Sequence, residues 1–133
     1  MADLDDVQRL AAALPEVSES TSYGHRAWSV HGKAFVWERP LRRSDWQSLD
    51  LEPTGAPVLG VRVPDLADKD ALIAENPESC FTTPHFDGHP AVLVWLDRVG
   101  EDLLAEMITD AWRVRAPKRL IRAAFPDENP GPS

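Results

Sequence analysis

The densest group of side chains able to do chemistry lies in residues 82–90, which read TTPHFDGHP. His85, Asp87 and His89 stand close together there, and two imidazoles with a carboxylate can hold a metal ion or form an acid–base pair. The same stretch contains two prolines and an Asp-Gly step, which are typical of turns. Zinc-binding histidines usually lie on a helix free of such breakers. We therefore interpret residues 82–90 as a structural turn and expect no metal ion.

A second hypothesis joins this turn to the start of the first predicted strand. If Tyr23 and His25 meet Thr83, His85 and Asp87, the five side chains would line a polar pocket for a small molecule or a peptide. The alternative is that the histidines are surface residues or hydrogen-bond the backbone, since nothing supplies a third ligand or a nucleophile.

The sequence lacks the common motifs for nucleophilic catalysis and for phosphate-binding loops. It contains no G-x-S-x-G elbow, no G-x-G-x-x-G loop and no Walker sequence. The single cysteine, Cys80, precedes an apolar strand, so we interpret it as a small buried side chain and not as a reactive thiolate. We therefore predict a protein that is not an enzyme and needs no cofactor.

Positive charge is unevenly spread along the chain. One basic group falls in a ten-residue segment without an acid: Arg113, Arg115, Lys118, Arg119 and Arg122. A smaller group contains Arg42 and Arg43. Guanidinium forks bind phosphates, so both groups together would form a DNA-contacting surface if they gathered on one face. The alternative is helix electrostatics, because Glu101 and Asp102 open a predicted helix that Arg113 and Arg115 close.

Composition limits the function classes further. The 133 residues are 43% hydrophobic and 27% charged, as in one globular domain with one core. The net charge of −8 repels phosphate backbones, so any DNA contact would have to be local. No apolar run approaches the ~20 residues that cross a bilayer, and the start MADLDD lacks a signal-peptide layout. We expect a cytoplasmic monomer that does not contact membranes.

Periodicity and capping residues predict the elements that position these side chains. Helices are predicted at residues 3–14, 66–75, 101–115 and 117–124, and strands at 26–30, 33–38, 46–51, 57–63, 80–83 and 91–97. Residues 16–22 are interpreted as a polar connection. Strands in runs joined by short turns favour an α+β fold, a two-layer domain with an antiparallel sheet and helices packed on one face. That single domain spans residues 1–125, and residues 126–133 form a disordered Pro/Gly-rich tail.

Several short motifs occur in an order that resembles the MmcQ/YjbR-like family. They are ALPEV, SYG, VHGKAFV, FTTPHFDGHPAVLVWLD and a helix ending DAWRVRAPKRL, over about residues 10–120. The resemblance implies an α+β domain related to CyaY-like and secretion-chaperone-like folds. It implies DNA as a partner, because members of the family are commonly labelled as DNA-binding, and it implies no catalytic residues.

A protein–protein adaptor is the remaining alternative. The fold analogy with secretion chaperones is one reason for it. The other is Trp46, which lies in an irregular segment and is predicted to be partly exposed and available to a partner.

Overall fold

A six-stranded antiparallel sheet organises the computed structural model, which describes residues 2–22 and 24–125. In chain order the elements are α1 (Leu4–Ala12), β1 (Val17–Ser22), β2 (His25–Val30), β3 (Lys33–Glu38), α2 (Arg43–Leu49), β4 (Val58–Arg62), α3 (Leu66–Glu75), β5 (Cys80–Phe81), β6 (Ala91–Trp95), α4 (Glu101–Arg115) and α5 (Lys118–Ala124). The strands lie in the order β1-β2-β3-β4-β6-β5, and all neighbours are antiparallel. The predicted α+β fold is confirmed.

Local capping signals place the helix ends close to where the sequence predicts them. The Asp3 carboxylate accepts the Asp6 N–H at 2.9 Å, and the Asp6 carboxylate accepts the Asp3 N–H at 3.1 Å, so the two residues form a capping box. Asp65 accepts the N–H of Asp68 at 2.8 Å at the start of α3. Helices α3 and α4 have the predicted bounds, Leu66–Glu75 and Glu101–Arg115.

Two segments differ from their predictions. Residues 16–22, interpreted as a connection, contain β1, which pairs only with β2 at the edge of the sheet. An edge strand can be polar throughout, so it lacks the apolar alternation that marks a half-buried strand. No strand forms at residues 46–51, and residues 46–49 belong instead to α2. The Asp45 carboxylate accepts the Arg42 N–H at 2.8 Å and so stabilises the first turn of this helix.

The sheet buries a different cluster on each face. The larger cluster includes side chains of α1, α3, α4 and α5, such as Val7, Leu72, Trp112 and Leu120. On the other face, α2 packs Trp46 against Trp95 of β6, with ring centroids 5.7 Å apart. Four helices therefore lie on one face, while α2 covers part of the second. The prediction that Trp46 is exposed is wrong, since only 7% of its surface is accessible.

Some sequence-based expectations fall outside this description. The predicted tail, residues 126–133, and Tyr23 do not belong to the described residues. Among the helices of residues 2–22 and 24–125, none combines the length and the apolar character needed to traverse a bilayer.

Candidate functional site

Helix α5 has one apolar side and one cationic side. Leu120 is buried, and Ile121 packs against the same core cluster. Lys118, Arg119 and Arg122 are exposed, and their spacings of three and four residues put them on one side of the helix. We call these three side chains the α5 surface.

The cations of the α5 surface lack counter-ions within the described part of the chain. No carboxylate lies within 4.0 Å of Lys118, Arg119 or Arg122 there, and the three side chains form no hydrogen bond. Screening in physiological salt acts over about 8 Å, so distant acids neutralise them poorly. The α5 surface is therefore a local positive site on an acidic molecule.

Arg113 and Arg115, which the sequence placed in the same basic group, are half-buried at the end of α4. The guanidinium carbon of Arg113 lies 4.3 Å from the centre of the Phe125 ring, a cation–π contact. The Nε atom of Arg115 is buried and has no hydrogen-bond partner among the described residues. Both arginines thus have surroundings unlike those of the α5 surface.

The second basic group does not join the first. Arg42 and Arg43 are exposed at the start of α2. This helix packs on the face of the sheet opposite to α4 and α5. The structure therefore does not support one continuous surface made of both groups, and Arg42 and Arg43 lie apart from the α5 surface.

The five residues of the hypothetical polar pocket are not brought together either. His25 begins β2, where its Nδ1 lies 3.9 Å from a Glu38 carboxylate oxygen. Thr83, His85 and Asp87 follow β5, and three strands separate β2 from β5. Four strand spacings amount to about 19 Å. Because Tyr23 lies outside the described residues, His25 has no described partner from this set.

The turn at residues 82–90 is held by a buried lysine that no sequence pattern indicated. Lys69 of α3 donates from Nζ to the carbonyl oxygen of Phe86 at 2.6 Å and to that of His89 at 3.0 Å. Burial lowers the pKa of Lys69. Two backbone carbonyls thus take the place of a carboxylate, which supports the structural interpretation of this turn.

Metal and thiol chemistry find little support in the described residues. They contain no group of three or more His, Cys, Asp and Glu side chains arranged to hold a metal ion. Cys80 is buried, as predicted, and burial raises the pKa of its thiol. A thiol held in the neutral form is a poor nucleophile.

A cleft that the sequence does not indicate lies between the end of β4, α3 and the second half of α4. Its volume is about 480 Å³, within the usual range of ligand sites. Apolar walls are formed by Val61, Val63, Leu72 and Met107, and the charged lining consists of Arg62, Asp68, Glu75, Asp110 and Arg113. The lining comes from three segments distant in sequence, so no local pattern could have revealed it.

The cleft perturbs the carboxyl group of Asp110 at its mouth. Loss of hydration beside the cleft raises the pKa of this carboxyl group. The positive charge of Arg113 lowers the pKa, while the negative charges of Glu106 and Asp68 raise it further. A carboxylate in this setting favours a cationic or hydrogen-bond-donating group beside it.

Arg62 lines the cleft and also contacts the aromatic ring of Trp37. Its guanidinium carbon lies 5.6 Å from the centre of the Trp37 ring. Trp37 itself lies against Gly60, where a Cβ atom would come within 2.3 Å of the indole, so only glycine fits. Burial lowers the pKa of Arg62, and the positive charge of Arg115 lowers it further.

A family model, curated relatives and one solved structure match this chain. The family model described as YjbR matches residues 12–114. The uncharacterized protein Rv2570 of Mycobacterium tuberculosis and the uncharacterized protein Mb2600 of Mycobacterium bovis are each 47% identical over 126 residues, which is 92% of this chain and 95% of theirs. The crystal structure of Deinococcus radiodurans protein DR2400, a DUF419 domain, matches with a TM-score of 0.60 at 19% identity, covering 84% of this chain and 77% of that one.

Proposed function

We propose, from the premise that this chain belongs to the YjbR family, that it is a non-enzymatic domain that binds duplex DNA through the α5 surface. The matched relatives are uncharacterized, so they supply no activity. The proposal therefore depends on the chain's own residues.

The observation that carries the proposal is that Lys118, Arg119 and Arg122 are three exposed cations on one side of a helix, with no counter-ion among the described residues. Elsewhere in the described chain, Arg9, Arg26 and Arg39 each lie within 4.0 Å of a carboxylate. Cations without partners keep their full attraction for an external anion, and arginine forks match the geometry of phosphate oxygens. Such contacts grip the backbone and carry no sequence information.

The net charge of −8 makes this binding weak and local. Three phosphate contacts predict that the logarithm of the binding constant falls with the logarithm of salt concentration with a slope of about −2.7. Binding is therefore expected at ~50 mM salt and is largely lost at ~200 mM salt.

Fluorescence anisotropy with a labelled duplex, measured over a salt series, tests the proposal. The variant Arg119→Glu/Arg122→Glu is expected to abolish binding at low salt. A matched control, Arg42→Glu/Arg43→Glu, changes the net charge equally on the opposite sheet face and is expected to retain most of it. Equal loss in both variants, or no binding by the wild type at ~50 mM salt, would overturn the proposal.

The two alternative functions have less support from the geometry. The polar pocket for a small molecule or peptide requires His25 to meet His85, and three strands lie between their segments. The adaptor hypothesis used an exposed Trp46, which is buried against Trp95. Neither is proposed for this protein.

A further inference from the structure

We propose that the cleft between β4, α3 and α4 binds a small organic ammonium ion, whose apolar body lies on the floor of the cleft and whose charged head meets Asp68 and Asp110. The cleft shares no residue with the α5 surface, so this site does not depend on DNA binding.

The floor of the cleft is apolar and is held in place by the core. Val61, Val63 and Met107 line the cleft, and no more than 4% of the surface of any of them is accessible. Leu72 of α3 adds a fourth apolar side chain. An alkyl or aryl group placed on this floor would lose contact with water, which favours binding.

Two helices form the sides of the cleft. One side of α3 lines it with residues spaced three and four positions apart, namely Asp68, Ala71, Leu72 and Glu75. On α4, Asp110 lies one turn after Met107, so it stands above the apolar floor. The small side chain of Ala71 leaves space between the two helices, and a ligand can enter there.

Carboxylates outnumber guanidinium groups in the cleft. Arg62 belongs to the lining, but strand alternation directs its side chain away from the face of Val61, and it contacts Trp37 on the other face of the sheet. The guanidinium carbon of Arg113 lies 4.3 Å from the centre of the Phe125 ring. The cleft therefore presents three carboxylates and one guanidinium group, so its net charge is negative.

The three carboxylates, those of Asp68, Glu75 and Asp110, lack close cationic neighbours in the described part of the chain. No Lys, Arg or His nitrogen lies within 4.0 Å of them there. Asp68 and Asp110 stand on the two sides of the cleft, so their like charges oppose its closure. A positive group between them would remove this repulsion and donate hydrogen bonds to both.

An ammonium head with an apolar body fits this combination better than other ligand classes. An anion would meet the net negative charge of the cleft. A metal ion is disfavoured, because the described residues contain no group of three or more His, Cys, Asp and Glu side chains arranged to hold one. The volume of about 480 Å³ lies within the range of small-molecule sites, so a body of several carbon atoms fits.

NMR titration of the full chain with hexylammonium, methylammonium and hexanoate tests both parts of the proposal. Sodium chloride at equal ionic strength serves as the reference. Hexylammonium is expected to shift the Met107 methyl signal until it saturates, and to bind about tenfold more tightly than methylammonium because its alkyl chain is buried. Hexanoate has the opposite charge and should leave the signal in place. An unmoved signal with hexylammonium, or equal binding of any two of these ions, would overturn the proposal.

Matched variants locate the charged head of the ligand. Asp68→Asn/Asp110→Asn is expected to weaken hexylammonium binding about tenfold. Asp70→Asn/Asp102→Asn removes two carboxylates from the same helices outside the cleft lining and should keep the affinity within about twofold of the wild type. All four residues are exposed, so both variants should fold, which circular dichroism would verify. Equal weakening in both would show that the net charge of the protein attracts the cation, and would contradict the assignment.

A third variant tests the space in the cleft without changing its charge. Ala71 is exposed on α3, and Ala71→Leu would fill the cleft while keeping a good helix-forming residue at that position. Hexylammonium binding should weaken about tenfold, because the alkyl chain loses its place on the floor. Unchanged affinity in Ala71→Leu would show that the ligand lies elsewhere and would overturn the proposal.

Discussion

Arg9, Arg26 and Arg39 differ from the cations of α5 in their electrostatic surroundings. Arg26 lies 2.8 Å from a Glu19 oxygen, Arg39 lies 3.2 Å from an Asp45 oxygen, and Arg9 is paired with Glu101. The α5 surface has no such partner among the described residues. The same residue types therefore stabilise the fold in one region and are available for binding in the other.

The difference comes from what surrounds each cation in space. Arg26 of β2 lies beside β1, which carries Glu19, so sheet pairing brings the opposite charges together. The α5 surface follows an acid-free segment and lies on the outside of a helix that packs only its apolar side. Three substitutions test how much each kind of cation contributes to folding.

The largest effect is expected at the buried pair of Arg39 and Asp45, whose side chains are only 12% and 5% exposed. Arg39→Met would leave the Asp45 charge buried without its partner, so the free energy of unfolding should fall by about 3 kcal/mol in urea titrations. The double variant Arg39→Met/Asp45→Asn should recover part of this loss. A loss below about 1 kcal/mol for Arg39→Met would show that this pair does not differ from a surface ion pair.

An intermediate effect is expected at Lys69, a buried cation held by two carbonyl groups. Lys69→Met removes both hydrogen bonds to the turn at residues 82–90 and should lower the free energy of unfolding by about 2 kcal/mol. Hydrogen exchange should also become faster at the Phe86 and His89 amides, because the turn loses its attachment to α3. Unchanged hydrogen exchange at these two amides would show that the turn is stable without Lys69.

The smallest effect is expected at Arg26, whose pair with Glu19 is partly exposed. Arg26→Gln should cost less than 1 kcal/mol at neutral pH. Hydrogen bonding from Arg26 lowers the pKa of Glu19 in the folded protein. Between that lowered pKa and the unfolded value of about 4.3, the unfolded chain binds more protons, so stability falls as the pH falls.

Urea titrations at several pH values would measure this contribution. In Arg26→Gln, the free energy of unfolding should fall less steeply than in the wild type as the pH decreases from about 4.3 to the lowered pKa of Glu19. Arg119→Gln is the matched control from the α5 surface, and its stability should stay within about 0.5 kcal/mol of the wild type throughout. A cost at Arg119 equal to that at Arg26 would remove the distinction between the two regions.

Much of the secondary structure could be predicted, because its signals are short. Asp3 and Asp65 mark the starts of α1 and α3 through side-chain hydrogen bonds that extend one turn. The two failures were β1 and α2. β1 is polar and pairs on one side only, while α2 depends on Asp45 and on the packing of Trp46 against Trp95.

The candidate sites were only partly predictable. Lys118, Arg119 and Arg122 could be recognised as a basic group from the sequence, and the structure places them on one helix side. The cleft between β4, α3 and α4 could not, because its lining comes from segments distant in the chain. The same holds for Lys69, which looks like an ordinary surface lysine until α3 is packed against the turn.

The amino-acid sequence by itself determined the helix boundaries, most of the strands and the acid-free character of residues 113–122, since these depend on neighbours along the chain. The tertiary structure alone decided that Arg42 lies away from α5, that Trp46 is buried and that a cleft forms between β4, α3 and α4. Those outcomes depend on strand order and on the face each helix covers, which bring together residues that no local interaction connects.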